Sequence, residues 1–348
     1  MHRLILLMKK AGVLVVGVVA LAYASAGVAA APGSTSRHPA HPRAGKVVAK
    51  VPIPAGTGAF AVGEGAVWSV SDTGPVLTRI DPDRNAVVAS IKLNLDSVCP
   101  PDPPGCGDAA VGNGAVWVTH VDDDTVSRID PGTNTVTATI KVGSRPLGIA
   151  VSQGAVWVAN GGGPSVSRID PVTNRVVATI RLGPASAATD RMTVSAGDGG
   201  VWVTMTKLDA VMRIDPTTND VSATVKLSWL RSGQPCGFIA STESAIWAAG
   251  AHCGASSGFG VVTRIDPRKN RVSRIVTGFK APIGLAVGFG SLWVADLDAK
   301  AIDRVNSRTG RIVARLRVGG LPIRLGIGFG SVWVRDDSGR VLRIRPQR

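Results

Sequence analysis

Ala155-Val156-Trp157-Val158-Ala159-Asn160, Ser165-Val166-Ser167-Arg168-Ile169-Asp170-Pro171 and Arg175-Val176-Val177-Ala178-Thr179-Ile180 follow one another with only short turns between them. A fourth run, Gly148-Ile149-Ala150-Val151, stands just before. Apolar and small or polar residues alternate along each run, the period of a half-buried β-strand. The unit then repeats. Its tryptophan returns at Trp68, Trp117, Trp157, Trp202, Trp247, Trp293 and Trp333, and its arginine at Arg79, Arg128, Arg168, Arg213, Arg264, Arg304 and Arg343. Four short strands in a unit of roughly forty residues, written seven times, are the signature of an all-β, seven-bladed β-propeller of four-stranded blades.

With the strands of a unit lettered a to d, the c–d turn reads Asp-Pro-x-x-Asn in five copies, from Asp81, Asp130, Asp170, Asp215 and Asp266. Proline presets φ, aspartate bonds back to its own backbone, and the Asn position calls for a left-handed residue. In the sixth copy that place holds Gly310, the other residue that tolerates positive φ. The seventh copy stops after strand c, at Val341-Leu342-Arg343-Ile344. Its missing strand stands at the other end of the chain, because Gly45 to Val51 aligns with Asn174 to Ile180. The N-terminal strand is therefore expected to complete the last blade and remove an open sheet edge.

Arg3, Lys9 and Lys10 precede an apolar run from Ala11 to about Ala22, and small residues follow. This is the pattern of a secretory signal, so residues 1–30 read as a signal peptide, 31–44 as a flexible linker and 45–348 as the propeller. The expected location is secreted or in the cell envelope. The net charge of +15 includes the three basic residues of the signal; the exported part keeps 36 Lys and Arg against 24 Asp and Glu, or +12. That excess suits an anionic envelope polymer. Nucleic acid is a poor fit, since stacking needs exposed aromatics and the only tyrosine, Tyr23, lies in the signal.

Copies differ in length, and the differences are not scattered. Tryptophan intervals are 49, 40, 45, 45, 46 and 40 residues. The additions fall in d–a connections (Asn94 to Asp108, Gly183 to Arg191, Ser228 to Pro235) and in the b–c loop from Gly250 to Gly260. In an up-and-down blade these connections open on one face, so one face is decorated. The four exported cysteines, Cys99, Cys106, Cys236 and Cys253, fall in the same connections. Their even number in an exported chain favours two disulfides, Cys99–Cys106 and Cys236–Cys253.

Three residues beyond each tryptophan stand Ser71, His120, Asn160, Met205, Gly250, Asp296 and Asp336. They are expected to ring the central opening, with Arg145, Lys207, Arg231, Lys280 and Arg324 from neighbouring loops. Such a rim is the default ligand site. The expected binding set is His120, Asn160, Asp296, Asp336, Arg145, Lys207, Arg231 and Arg324. The cluster His120, Asp122, Asp123 and Asp124 lacks the spacing of a calcium loop, and no metal or cofactor is called for. No nucleophile elbow, zinc-helix motif or phosphate-cradling loop occurs. His252 beside Cys253 would be a catalytic pair only with a free thiol. Glu64 and Glu243 are the only glutamates and fall near a–b turns, so a paired-glutamate glycosidase site is missing.

Trp157-Val158-Ala159-Asn160 followed by Val166-Ser167-Arg168-Ile169-Asp170-Pro171 resembles the repeats of YVTN-type propellers, and also the propeller of streptogramin B lyase. The likeness runs from about Gly45 to Arg348. The lyase resemblance implies an elimination that linearises a cyclic antibiotic, using a histidine base and acidic metal ligands, with Glu typical three residues after a repeat tryptophan. This chain has only Asp296 and Asp336 as acids there, and Leu147, Cys236 or Ile283 where a lyase histidine would precede strand a. The reading is therefore an exported monomeric binding propeller, without catalysis, that takes a small molecule, protein or envelope partner on its decorated face. The alternative is a lyase- or hydrolase-type enzyme at the central opening using His120, Asp296 and Asp336.

Overall fold

In the computed structural model the described residues are 44–56, 58–71, 74–93, 107–152, 154–188, 192–197, 199–227, 238–242, 244–250 and 260–347. The chain opens with β1 (Gly45–Pro52) and then lays down blades in order. Blade one is β2 (Phe60–Gly63), β3 (Ala66–Val70), β4 (Val76–Asp81) and β5 (Ala86–Lys92); blade two is β6 (Ala109–Gly112), β7 (Ala115–His120), β8 (Thr125–Asp130) and β9 (Thr135–Lys141). Blade three is β10 (Pro146–Ser152), β11 (Ala155–Asn160), β12 (Ser165–Asp170) and β13 (Arg175–Arg181); blade four is β14 (Val194–Gly197), β15 (Gly200–Met205), β16 (Ala210–Asp215) and β17 (Asp220–Lys226). Blade five is β18 (Ile239–Thr242), β19 (Ala245–Gly250), β20 (Gly260–Asp266) and β21 (Arg271–Phe279). Blade six is β22 (Pro282–Gly288), β23 (Ser291–Asp296), β24 (Ala301–Asn306) and β25 (Ile312–Arg317); blade seven supplies β26 (Pro322–Gly328), β27 (Ser331–Asp336) and β28 (Arg340–Pro346).

Seven antiparallel four-stranded sheets result, each in sequence order except the last, which runs β1-β28-β27-β26. The first strands of neighbouring blades pack on one another and form the inner wall, which leaves the fourth strands outermost. β1 is a true fourth strand. It skips Val48 between Val47↔Ile344 and Ala49↔Arg343, the same bulge that skips Val88 in β5 and Val177 in β13. These bulged valines turn outward and are 40%, 44% and 57% exposed.

Tryptophan explains why the sheets stand face to face. All seven repeat tryptophans are fully buried, and each packs on the following blade: Trp68 against Val116 and Val118, Trp157 against Val201 and Val203, Trp333 against Phe60 and Val67. Opposite each tryptophan, strand a carries Ala61, Ala110, Ala150, Ser195, Ala240, Ala286 or Gly326, small residues that leave room near the axis. In five blades the indole N–H donates to the carbonyl five residues earlier, as Trp68 does to Gly63 at 3.0 Å, and fastens the a–b turn.

The repeat arginine joins one blade to the next. Each guanidinium lies over the tryptophan of its own blade, 5.0 to 5.8 Å from a ring centre. In four blades it then reaches across: Arg168 donates from Nη1 to the Pro216 carbonyl and to Asn219 Oδ1, both at 2.9 Å, in the c–d turn of blade four, whereas Asn174 Oδ1 in blade three is left without such a bond. Arg79, Arg213 and Arg343 hold the Pro-x-x-Asn turns of the following blades in the same way. The turn asparagines have φ of 48 to 62°, as their position requires, and Gly310 takes 68°. Where Gly310 replaces Asn the clamp is absent, and Arg264 bonds Ser273 and the Ser244 carbonyl instead. At the seam, where the chain ends replace a turn, Arg304 donates to the Gln347 carbonyl. The turn aspartates are held locally: Asp81 accepts the amides of Asp83 and Arg84, and such bonds keep Asp81, Asp170 and Asp215 below the usual carboxylate range.

Two outcomes test this account. Deleting residues 45–54 exposes β28 and is expected to give aggregated or unfolded protein by size-exclusion chromatography; a monomer with unchanged melting would refute closure by β1. A double-mutant cycle of Arg168→Ala and Asn219→Ala in urea unfolding should show a coupling of about 1 kcal/mol, since the two groups share one hydrogen-bonded contact.

Candidate functional site: the axial mouth and the ends of the second strands

Strand b is the second strand from the axis, so its last residue sits one strand behind the inner wall. His120, Asn160, Met205, Gly250, Asp296 and Asp336 end strand b, with Ser71 just beyond its end in blade one, and all are buried. His120, Asn160 and Asp336 are bonded within their own blades, and Asp296 to the connection that enters blade six. His120 Nε2 lies 2.7 Å from Ser127 Oγ, and Asn160 Nδ2 donates to Ser165 Oγ at 3.1 Å and Ser167 Oγ at 3.0 Å. Asp296 accepts the amides of Ala281 at 2.8 Å and Lys280 at 3.0 Å. Asp336 accepts from Arg340 Nε at 2.8 Å and from Ser338 Oγ at 2.9 Å. In blade four the same two places hold buried Met205 and Met212, an apolar match where its neighbours have polar ones.

Blade six buries two carboxylates, Asp296 and Asp303. Arg315 grips fully buried Asp303 with two donors, Nε–Oδ1 at 2.6 Å and Nη2–Oδ2 at 2.7 Å, and Nη2 also reaches Asp296 Oδ2 at 3.3 Å. Burial pushes the Asp303 carboxyl up, and the Arg315 guanidinium opposes that.

No hydrogen bond or ion pair joins any two of His120, Asp296 and Asp336, which stand on blades two, six and seven. Among the described residues no three His, Cys, Asp or Glu side chains gather as a metal-binding set. Arg145, Lys207 and Lys280 are exposed, and the Arg145 amide donates to Asp124 Oδ1 at 2.8 Å. Arg231, His252 and all four cysteines, with both expected disulfides, lie outside the described residues.

One side chain of the expected rim does lie over the axis. Two residues before the small residue opposite each tryptophan, strand a or its entry carries Ala59, Asp108, Gly148, Thr193, Phe238, Gly284 or Arg324. Arg324 Nη1 is 3.7 Å from Asp108 Oδ1 of blade two, and its guanidinium carbon is 4.3 Å from the Phe238 ring centre of blade five. Neither blade adjoins blade seven. A side chain that touches both must lie across the central opening. Beside it Ala281, Ile283 and Ile323 form an apolar cluster with Phe238 and Leu297. Burial pushes the Asp108 carboxyl up, against the lowering by Arg324. At 3.7 Å the ion pair is longer than a hydrogen bond, so the guanidinium keeps donors for a further acceptor. Sequence reasoning missed Asp108 and Phe238. Their signal was present: this is the strand-a position at which the copies differ most in size and charge.

The mouth of a seven-bladed β-propeller is thus built from blades two, five, six and seven. No family model matches the chain, and no curated protein matches it in sequence. Solved structures match its fold. Catalytically inactive virginiamycin B lyase from Staphylococcus aureus with quinupristin is 17% identical, TM-score 0.67, over 84% of this chain and 95% of that one. Kuenenia stuttgartiensis hydrazine synthase is 16% identical, TM-score 0.66, over 84% and 96%. BamB from Moraxella catarrhalis is 15% identical, TM-score 0.57, over 83% and 85%. These names differ in function, and the likeness is one of fold.

Burial pushes the His120 pKa down to about 4, so the imidazole is neutral in the fold. The unfolded chain binds a proton near the ordinary value of 6.5, so this group's contribution is complete above that pH and is lost as pH falls towards 4, up to roughly 3 kcal/mol. His120→Asn installs the residue that blade three uses at the same register, facing Ser127 as Asn160 faces Ser167. The variant is expected to flatten the fall in stability between pH 6.5 and 4, measured by urea unfolding at several pH values.

Proposed function

We propose that the protein is an extracytoplasmic binding propeller that takes a small amphipathic ligand at its axial mouth, without catalysis. The observation that carries this reading is Arg324, held over the opening between Asp108 and Phe238 by an ion pair too long to use up its donors. An acidic group of the ligand would meet the guanidinium, and an apolar body would lie on Phe238, Ile283 and Ile323. The signal-like N-terminus supports placement outside the cytoplasm. The absence of catalysis is supported by His120, Asp296 and Asp336 each being committed to its own blade, with His120 a weak base at its lowered pKa.

Two probes test it. Anilinonaphthalene sulfonate, an aromatic anion, is expected to bind saturably by fluorescence titration, and Arg324→Met should weaken it about tenfold, the effect of losing one charged hydrogen bond. Lys92→Met, on the outer wall, should leave it unchanged. Quinupristin, named with the Staphylococcus aureus structure, should be recovered cyclic after incubation with the protein; a linear product by chromatography would overturn the binding reading in favour of a lyase.

A further inference from the structure

The excess positive charge is not spread over the ring. Residues 44–259 hold 16 Lys and Arg against 18 Asp and Glu, a net charge of −2. Residues 260–348 hold 18 against 6, or +12. The second stretch is the outer half of blade five, blade six and the three inner strands of blade seven, so an excess equal to that of the whole exported chain sits on three consecutive blades.

Part of this charge is structural and is neutralised or enclosed. Arg264, Arg304 and Arg343 lie over tryptophans, Arg315 holds Asp303, Arg340 holds Asp336, and Arg335 is fully buried. Arg324 lies over the mouth, and others stand exposed on the outer wall. Arg271 and Arg274 on β21 are exposed, as are Arg308 and Arg311 in the c–d turn of blade six. The two pairs meet at the junction of these blades: a Cβ on Gly310 would stand 2.4 Å from Arg274 Cδ, so Arg274 rests over the neighbouring turn. On blade seven, exposed Lys46 and Arg345 are register partners on β1 and β28. None of these six side chains takes part in an ion pair among the described residues. The outer strands β21, β25 and β1 contain no acidic residue.

We infer that the outer wall of blades five to seven is a second binding surface, for a linear polymer of phosphodiester units. The wall is convex, being made of the outer edges of successive blades. A flat bilayer touches a convex wall along one line, whereas a flexible chain can follow it from blade to blade. Five of the six groups are arginines, whose planar forks take two oxygens of a phosphate at once. A chain crossing the junction of blades five and six meets Arg271 and Arg274 on one side and Arg308 and Arg311 on the other. The six include no aromatic group, so bases are not stacked and the polymer is read by its phosphates alone. This surface is distinct from the axial mouth and does not depend on what binds there.

The test uses the full exported chain and fluorescently labelled poly(glycerol phosphate), followed by anisotropy at 50 and 200 mM salt. Binding is expected to weaken steeply with salt. The triple variant Arg271→Gln, Arg274→Gln, Arg311→Gln should weaken it at least tenfold and lower the slope of log affinity against log salt by about two, from about 0.7 for each lost contact. A control triple, Lys92→Gln, Lys141→Gln, Arg181→Gln, removes the same charge from blades one to three and should change affinity less than about threefold, as expected if long-range charge contributes little at these salt concentrations. Arg324→Met should leave polymer binding intact, which separates this surface from the mouth. Equal losses in the two triples, salt-independent binding, or binding to anionic lipid vesicles but not to the free polymer would overturn the proposal. Polygalacturonate binding as tightly as poly(glycerol phosphate) would overturn the assignment to phosphate. Circular-dichroism melting shows whether each variant stays folded, as exposed positions should allow.

Discussion

The ring depends on an arginine that lies on the tryptophan of one blade while bonding the turn of the next. Sheets packed around an axis diverge towards the outside, and a large flat indole fills that gap as no aliphatic residue can. Burial alone would not fix how far one blade is rotated on its neighbour. The guanidinium does this, because its planar donors must meet a proline carbonyl and an asparagine oxygen at set directions while its face stays on the ring. The turn then has to place its asparagine with positive φ, and the aspartate before it folds the turn by accepting two amides. One contact thus explains the tryptophan, the arginine, the aspartate, the proline and the asparagine of the repeat. Its failure is equally local: Gly310 keeps the turn but has no side-chain oxygen, and Arg264 turns away.

Freed from holding blades together, the ends of strands b and c vary by blade, but they vary as matched pairs. His120 meets a serine, Asn160 meets two, Met205 meets Met212, and Asp296 with Asp303 shares Arg315. A buried polar group without a partner costs about 1–3 kcal/mol, which accounts for the pairing. It also explains why histidine and aspartate at these places look catalytic in the sequence while being engaged in the fold. The mouth differs because its contacts are made across the axis, between blades that are not neighbours, and because the long Arg324–Asp108 pair leaves the guanidinium incompletely used.

Charge adds a second asymmetry to a nearly symmetric ring. Sevenfold repetition would spread the basic excess evenly, and the buried arginine ring is indeed evenly spread. The exposed excess is confined to blades five to seven, so it does not follow from the architecture. A surface feature that the repeat does not require is where partner recognition is best sought.

The sequence by itself determined the blade count, the strand order, the closure by residues 45–52, the positive-φ asparagines and the structural role of tryptophan and arginine. Each of these follows from local periodicity or from turn chemistry repeated seven times, so errors in one copy are corrected by the others. It also pointed to Arg324 as a rim residue. It could not place Asp108 and Phe238 beside that arginine, because they lie 216 and 86 residues away and meet it only when the ring closes. Nor could it tell that His120, Asp296 and Asp336 would be buried one strand behind the inner wall. Depth from the axis depends on how strands are ordered within a blade and how blades pack, and only the tertiary structure decides that.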